Sequence, residues 1–151
     1  MNAHDAIIDA VLATLRAEPP VTDGPIAEDI DAGTIPEDAT ECISVSLDTS
    51  DPDRISLTGY PVNWTTDIVI ECYARADGRR DGALTAGRAS RALHQRVHAR
   101  LMADPGLGGR AMDLRPPRIR SDRDQADTRL GCCIATYSAL HRTAAASLEA
   151  A

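Results

Sequence analysis

Trp64 to Arg75 reads W-T-T-D-I-V-I-E-C-Y-A-R. Trp64, Thr66, Ile68, Ile70, Cys72 and Ala74 fall on one face of an extended chain, and Thr65, Asp67, Val69, Glu71, Tyr73 and Arg75 on the other. Successive side chains on a strand point to opposite faces, so this period of two predicts a strand. Upstream, Glu41 to Leu47 alternates Ile43, Val45 and Leu47 against Cys42, Ser44 and Ser46, which predicts a second one. Asp48 to Pro61 between them is polar and full of turn residues, and reads as a long loop. Downstream, Arg110 to Arg120 sets Met112, Leu114 and Ile119 around Pro116-Pro117. Consecutive prolines cannot donate to a ladder, so this is an edge or interrupted strand. Thr128 to His141 alternates again, with Leu130, Cys132, Ile134 and Leu140 on one face, and predicts a long final strand.

Two helices flank these strands. In Ala3 to Leu15 the apolar residues Ile7, Ile8, Val11, Leu12 and Leu15 recur at the spacing of one helical face, and Pro19-Pro20 forbids continuation. Gly82 to Met102 places Ala86, Ala89, Ser90, Leu93, Val97 and Leu101 on one side, with Asp81 as N-cap and Asp104-Pro105-Gly106 as terminator. Val21 to Thr40 carries Gly24, Pro25, Gly33 and Pro36 among six acids and reads as a meandering acidic loop. Arg142 to Ala151 is Ala-rich and expected to be a frayed or weakly helical tail. The order α-β-β-α-β-β predicts an α+β fold: a four-stranded, mainly antiparallel or mixed sheet with two helices on one face. At 151 residues the chain is too short for two well-packed cores, so residues 1–151 are expected to form one domain.

Composition narrows the function. Phe is absent, and with one Trp and three Tyr the core has to come from Ala, Val, Ile and Leu, leaving few rings for base stacking. No run of 18 apolar residues occurs and the N-terminal stretch lacks a signal-peptide pattern, so a soluble, unexported protein with no membrane partner is expected. The four cysteines (Cys42, Cys72, Cys132, Cys133) contain no C-x-x-C pair and read as free buried thiols. Cys132 and Cys133 are neighbours on a strand, point to opposite faces and cannot grip one metal together. The net charge of −7 conceals a division: residues 1–73 carry −13 and residues 74–151 carry +6, with every base an Arg. Either Arg simply replaces Lys on a solvated surface, or acidic and basic faces meet in a partner or in a second copy of the chain.

Few residues suggest chemistry. His94 and His98 lie four apart on one helical side, as metal-binding histidines do, but H-Q-R-V-H lacks the zincin glutamate and a third ligand, so solvated or helix-edge histidines are expected. Asp122, Asp124 and Asp127 form D-R-D-Q-A-D without the glycine and glutamate of an EF-hand, and read as an acidic turn. Gly106 to Arg110 follows a helix and precedes a strand, the reverse of a nucleotide loop, and reads as a connector. There is no G-x-S-x-G elbow, and His141 has no fixed relation to an acid. No catalytic residue, cofactor or metal is expected. Arg79, Arg80, Arg88, Arg91 and Arg96, continued by Arg100, form a basic band suited to an acidic partner. Glu28, Asp29, Asp31, Glu37 and Asp38 are its candidate counter-patch.

The pattern Trp64-x-x-Asp67-Ile68-Val69-Ile70-x-Cys72-Tyr73-Ala74-Arg75, a charged turn, an Ala- and Arg-rich helix ending in L-M-A-D-P-G-L-G-G, then D-x-D-x-x-D and a strand containing Tyr137, resembles the tail terminator proteins of long-tailed bacteriophages and prophages. That family includes the lambda-type minor tail protein U and related proteins of gene transfer agents, and the resemblance covers roughly residues 63–141. It implies a non-enzymatic subunit of a homo-oligomeric, hexameric ring at the head-proximal end of the virion tail, assembled in the host cytoplasm. Such a ring ends tube polymerisation, meets the tail tube protein and a head completion or connector protein, and lets DNA pass without sequence-specific binding. The alternatives are another head-tail joining or completion protein, or a small metal-dependent hydrolase using His94 and His98.

Overall fold

The computed structural model describes residues 1–53, 58–76, 85–123, 130–145 and 147–151. In chain order the elements are α1 (Ala3–Arg16), β1 (Ile26–Glu28), β2 (Glu41–Pro52), β3 (Val62–Arg75), α2 (Ala86–Met102), β4 (Asp113–Arg123) and β5 (Leu130–Thr143). The strands form one mixed sheet in the order β1-β2-β3-β5-β4, with β1 parallel to β2 and every other pairing antiparallel. The sheet therefore has five strands rather than four. The extra one, Ile26-Ala27-Glu28, is too short to show a period and lies inside the stretch read as an acidic loop. It is held from outside itself: Ile43 donates to the Pro25 carbonyl and the Arg16 guanidinium to that of Ile26.

Cross-strand register builds the core as rungs. Ile43, Cys72 and Cys133 share one, and Val45, Ile70 and Ala135 the next. Ile68 and Tyr137 continue the core in a third, whose β2 member, Leu47, is exposed. On this face sit Ile7, Ile8, Val11, Leu12 and Leu15 of α1 and Leu93, Val97 and Leu101 of α2, so both helices cover the same side. The opposite face carries a smaller core of Cys42, Tyr73, Leu130, Cys132 and Ile134, roofed by Ile35 with Ile30, Ala32 and Ala39. The acidic stretch thus has an apolar underside. Leu130, Cys132 and Ile134 share a face as expected, but it is the one away from the helices. β5 is paired on both edges and covered on both faces, so alternation along it does not reveal which side meets the helices. Cys132 and Cys133 point to opposite faces, and all four cysteines are buried and outside any disulfide.

Three further boundaries differ from expectation. β2 runs on to Pro52 past a register shift between Leu47 and Ser50, because Ser50, Asp51 and Pro52 pair with Thr66, Thr65 and Trp64. Ladder bonds rather than apolar burial hold that extension. α2 starts at Ala86 under a Thr85 cap whose hydroxyl accepts from Arg88 N at 3.3 Å, whereas Asp81 lies outside the described residues. β4 is the expected edge strand, and its register shifts between Arg115 and Arg118, where the prolines sit. The chain end is docked, with bridges from Asn2 to Glu149 and from Thr143 to Ala150. The Leu148 carbonyl accepts from Ala3 N at 2.8 Å, satisfying one of the orphan amides that open α1. At Gly131 a Cβ would lie 2.2 Å from the Ala86 carbonyl, so only glycine lets α2 begin so close to the sheet.

Leu93 is fully buried where α2 meets the central strands. Leu93→Ala is expected to lower the free energy of unfolding by about 2–5 kcal/mol, from lost burial plus the cavity left behind. Chemical denaturation monitored by circular dichroism checks this.

Candidate functional site

Charge is sorted by sheet edge. α1 packs over β1 and β2, and α2 over β3 and β5 with a margin on β4. At the β1 edge, Glu28, Asp29, Asp31, Glu37 and Asp38 are all exposed on the strand and on the segment that roofs the second core. At the β4 edge, Arg88 and Arg91 of α2 are exposed on the helix side, and Arg115, Arg118 and Arg120 are exposed on the other. Four strand spacings separate the two edges, about 19 Å. Arg115, Arg118 and Arg120 do not stand out in the sequence, because the proline pair between them marks the stretch as one where the ladder fails. Their alternate spacing at 118 and 120 was the available signal. Arg118 is 3.8 Å from the Asp67 carboxylate with most of its side chain in solvent, a loose contact that leaves it available.

The basic band is smaller than the sequence suggests. Arg96 pairs with the Glu41 carboxylate and donates to the Val21 carbonyl at 2.9 Å. Arg100 donates to the carbonyls of Thr14, Ala17 and Pro19 at 3.2, 2.9 and 2.6 Å. Both bind α2 to the end of α1 and the turn that follows it. Arg100 places its charge where α1 exposes unpaired carbonyls and its negative dipole end. Arg79 and Arg80 lie outside the described residues.

His94 faces inward rather than into solvent, while His98 is half-buried at the helix edge. His94 is almost fully buried, and its Nε2 lies 3.0 Å from the Tyr137 hydroxyl, with His98 Nδ1 at 3.1 Å from the same oxygen. The hydroxyl can donate to one ring while accepting from the other, which satisfies a buried phenol between two helix positions. Burial, then the neighbouring His98, pulls the His94 imidazole below its ordinary value, and burial pushes the Tyr137 phenol up. His94 and Cys133 also line a groove of about 440 Å³ that runs between Arg91, Gln95 and His98 of α2 and Pro116, Pro117 and Ile119 of β4. Gly106 to Arg110 offers no open anion cradle: the Gly108 amide already donates to the Asp104 carboxylate at 2.7 Å. Of the aspartate cluster, Asp122 falls on β4, and Asp124 and Asp127 lie outside the described residues. Among the described residues, no three His, Cys, Asp or Glu side chains come together to hold a metal ion. No helix there is long and apolar enough to cross a membrane. Compared with known protein families and with curated proteins, the chain matches none.

A second polar cluster lies where the chain ends meet the sheet. Asn2 Oδ1 accepts from His4 N at 3.0 Å and lies 2.9 Å from His4 Nδ1, so that ring nitrogen carries the proton. With His4 neutral, its Nε2 accepts from Ser50 at 2.8 Å, Ser50 accepts from Thr66 at 2.6 Å, and Thr66 accepts from His141 Nε2 at 2.7 Å. His141 Nδ1 is then a bare, buried acceptor without a partner among the described residues. Trp64 Nε1 donates to Thr143 nearby at 2.9 Å. The chain of bonds ties α1, β2, β3 and β5 together, and a hydroxyl committed at both ends is a joint rather than a nucleophile.

Burial, with a smaller push from His4, brings the His141 imidazole down from 6.5 to about 4. A ring with a depressed folded value binds fewer protons folded than unfolded, so its contribution to stability is complete above 6.5 and is lost as pH falls from 6.5 towards 4. Stability is expected to drop across that window, and His141→Gln to flatten the slope while lowering stability at pH 7. Urea unfolding at half-unit pH steps measures both, and equal slopes for the two proteins would refute the assignment.

Proposed function

We propose that this chain is a structural subunit of a phage-type tail, forming a closed homo-oligomeric ring that caps the tail tube, ends its polymerisation and offers a surface for head attachment. The observation that carries the reading is the placement of exposed acids at the β1 edge and exposed arginines at the β4 edge of one sheet. Two different patches of the same subunit that attract each other make a heterologous contact, and a heterologous contact whose rotation closes makes a ring. The resemblance of residues 63–141 to tail terminators supplies the setting: a tail tube protein on one side, a head completion or connector protein on the other, and DNA passing through without base readout. In this reading the ring is mechanical and catalyses nothing.

Exposed charges are screened over about 8 Å at physiological ionic strength, so ring formation is expected to weaken as salt rises. Replacing both Arg88 and Arg91 with Glu is expected to leave thermal unfolding nearly unchanged, since exposed substitutions cost within about 0.5 kcal/mol each. The same change sets like charges against a neighbour's acidic edge and is expected to reduce assembly and tail completion. Sedimentation across a salt series, beside a tail-completion assay, checks both expectations. A parent protein that stays monomeric in every salt and on purified tail tubes would sink the ring.

A further inference from the structure

Resting on the ring proposed above, we infer that Leu47 of one subunit seats in the groove between α2 and β4 of the next, and that this apolar contact sets the alignment of neighbours. The groove is open along the β4 edge, where Pro116 and Pro117 break the register. Prolines donate no backbone hydrogen bond, so a neighbour cannot extend the sheet continuously past that point and has to engage it through side chains. Ile119 forms the lip: it pairs with Ala135, faces the helix side, and is 57% exposed.

The opposite edge carries a matching projection. β1 stops pairing at Val45, and two residues further Leu47 is 38% exposed on the same helix side of the sheet. Leu47 shares its rung with Ile68 and Tyr137, and on the far side of Tyr137 lies the Arg115-to-Arg118 interruption that holds both prolines. Projection and groove are therefore level with each other, on one face, at the two ends of one rung. With the strands along the ring axis, seating one in the other rotates the next subunit without raising it. A contact offset along the strands would instead climb into an open helix. The flanking charges agree, because Arg91 stands on the groove wall and exposed Asp48 follows Leu47. A second copy of this chain is thus the occupant that fits.

The test uses the full chain carrying Leu47→Cys and Ile119→Cys. The four native thiols are buried, so the introduced cysteines are the ones exposed to oxidation. Mild oxidation should give a ladder of covalent oligomers ending at the ring, whereas each single variant should remain uncrosslinked. Leu47→Asp should weaken assembly at least tenfold at both low and high salt, with thermal unfolding unchanged. Dimers formed by either single variant would mean a two-fold pairing or another occupant and would overturn the inference. So would Leu47→Asp assembling as the parent does, or an assembled double variant that gives no ladder. In each of these cases the parent still sediments as a ring, which separates them from failure of the ring itself.

Discussion

β3 and β5 pair without interruption from Val62 opposite Thr143 to Arg75 opposite Leu130. Side chains alternate faces along both strands, so this one register decides what reaches the helices and what reaches the roof of the second core. A slip of β3 by one residue would turn Ile68 and Ile70 away from α2 and bring Asp67 and Glu71 beneath it, and a slip of β5 would exchange Tyr137 for Ser138. One face is closed by two helices and the other is covered at its Tyr73 and Leu130 end by the segment around Ile35, and each penalises such a slip. The outer strands, the helices and the charged edges all take their positions from that pair.

What the sequence made legible is what burial repeats. The apolar alternation of β3 and the helical spacing of Ile7 to Leu15 and of Leu93 to Leu101 each recur often enough to be read. The same holds for the interruption at Pro116-Pro117. What it hid is held by single long-range bonds. β1 has three residues and no period, and the end of β2 is polar and kept in place by its ladder to β3. The tail binds through bridges to residues far away in the chain. His94 and His98 looked like helix-edge residues because nothing nearby announces that Tyr137, about forty positions later, sits between them.

The arginines divide by what they find within reach. On α2, Arg88 and Arg91 point to solvent near the start, while Arg96 and Arg100 further on are drawn to Glu41 and to the carbonyls ending α1. A charge count treats these four alike, and only the crossing of α2 over the end of α1 separates them. That crossing also leaves the residual positive charge on the side of α2 that borders β4. The acidic segment shows the converse, with its carboxylates in water and Ile35 on the small core beneath. One run of sequence thus roofs the sheet and charges its edge.

The docked tail brings the two chain ends together beside the His4 cluster, since Leu148, Glu149 and Ala150 bond to Ala3, Asn2 and Thr143. Anything fused at either end leaves the molecule from the same corner. In a closed assembly of such subunits, those paired ends would recur once per copy at a single height, forming a ring of attachment points around the assembly.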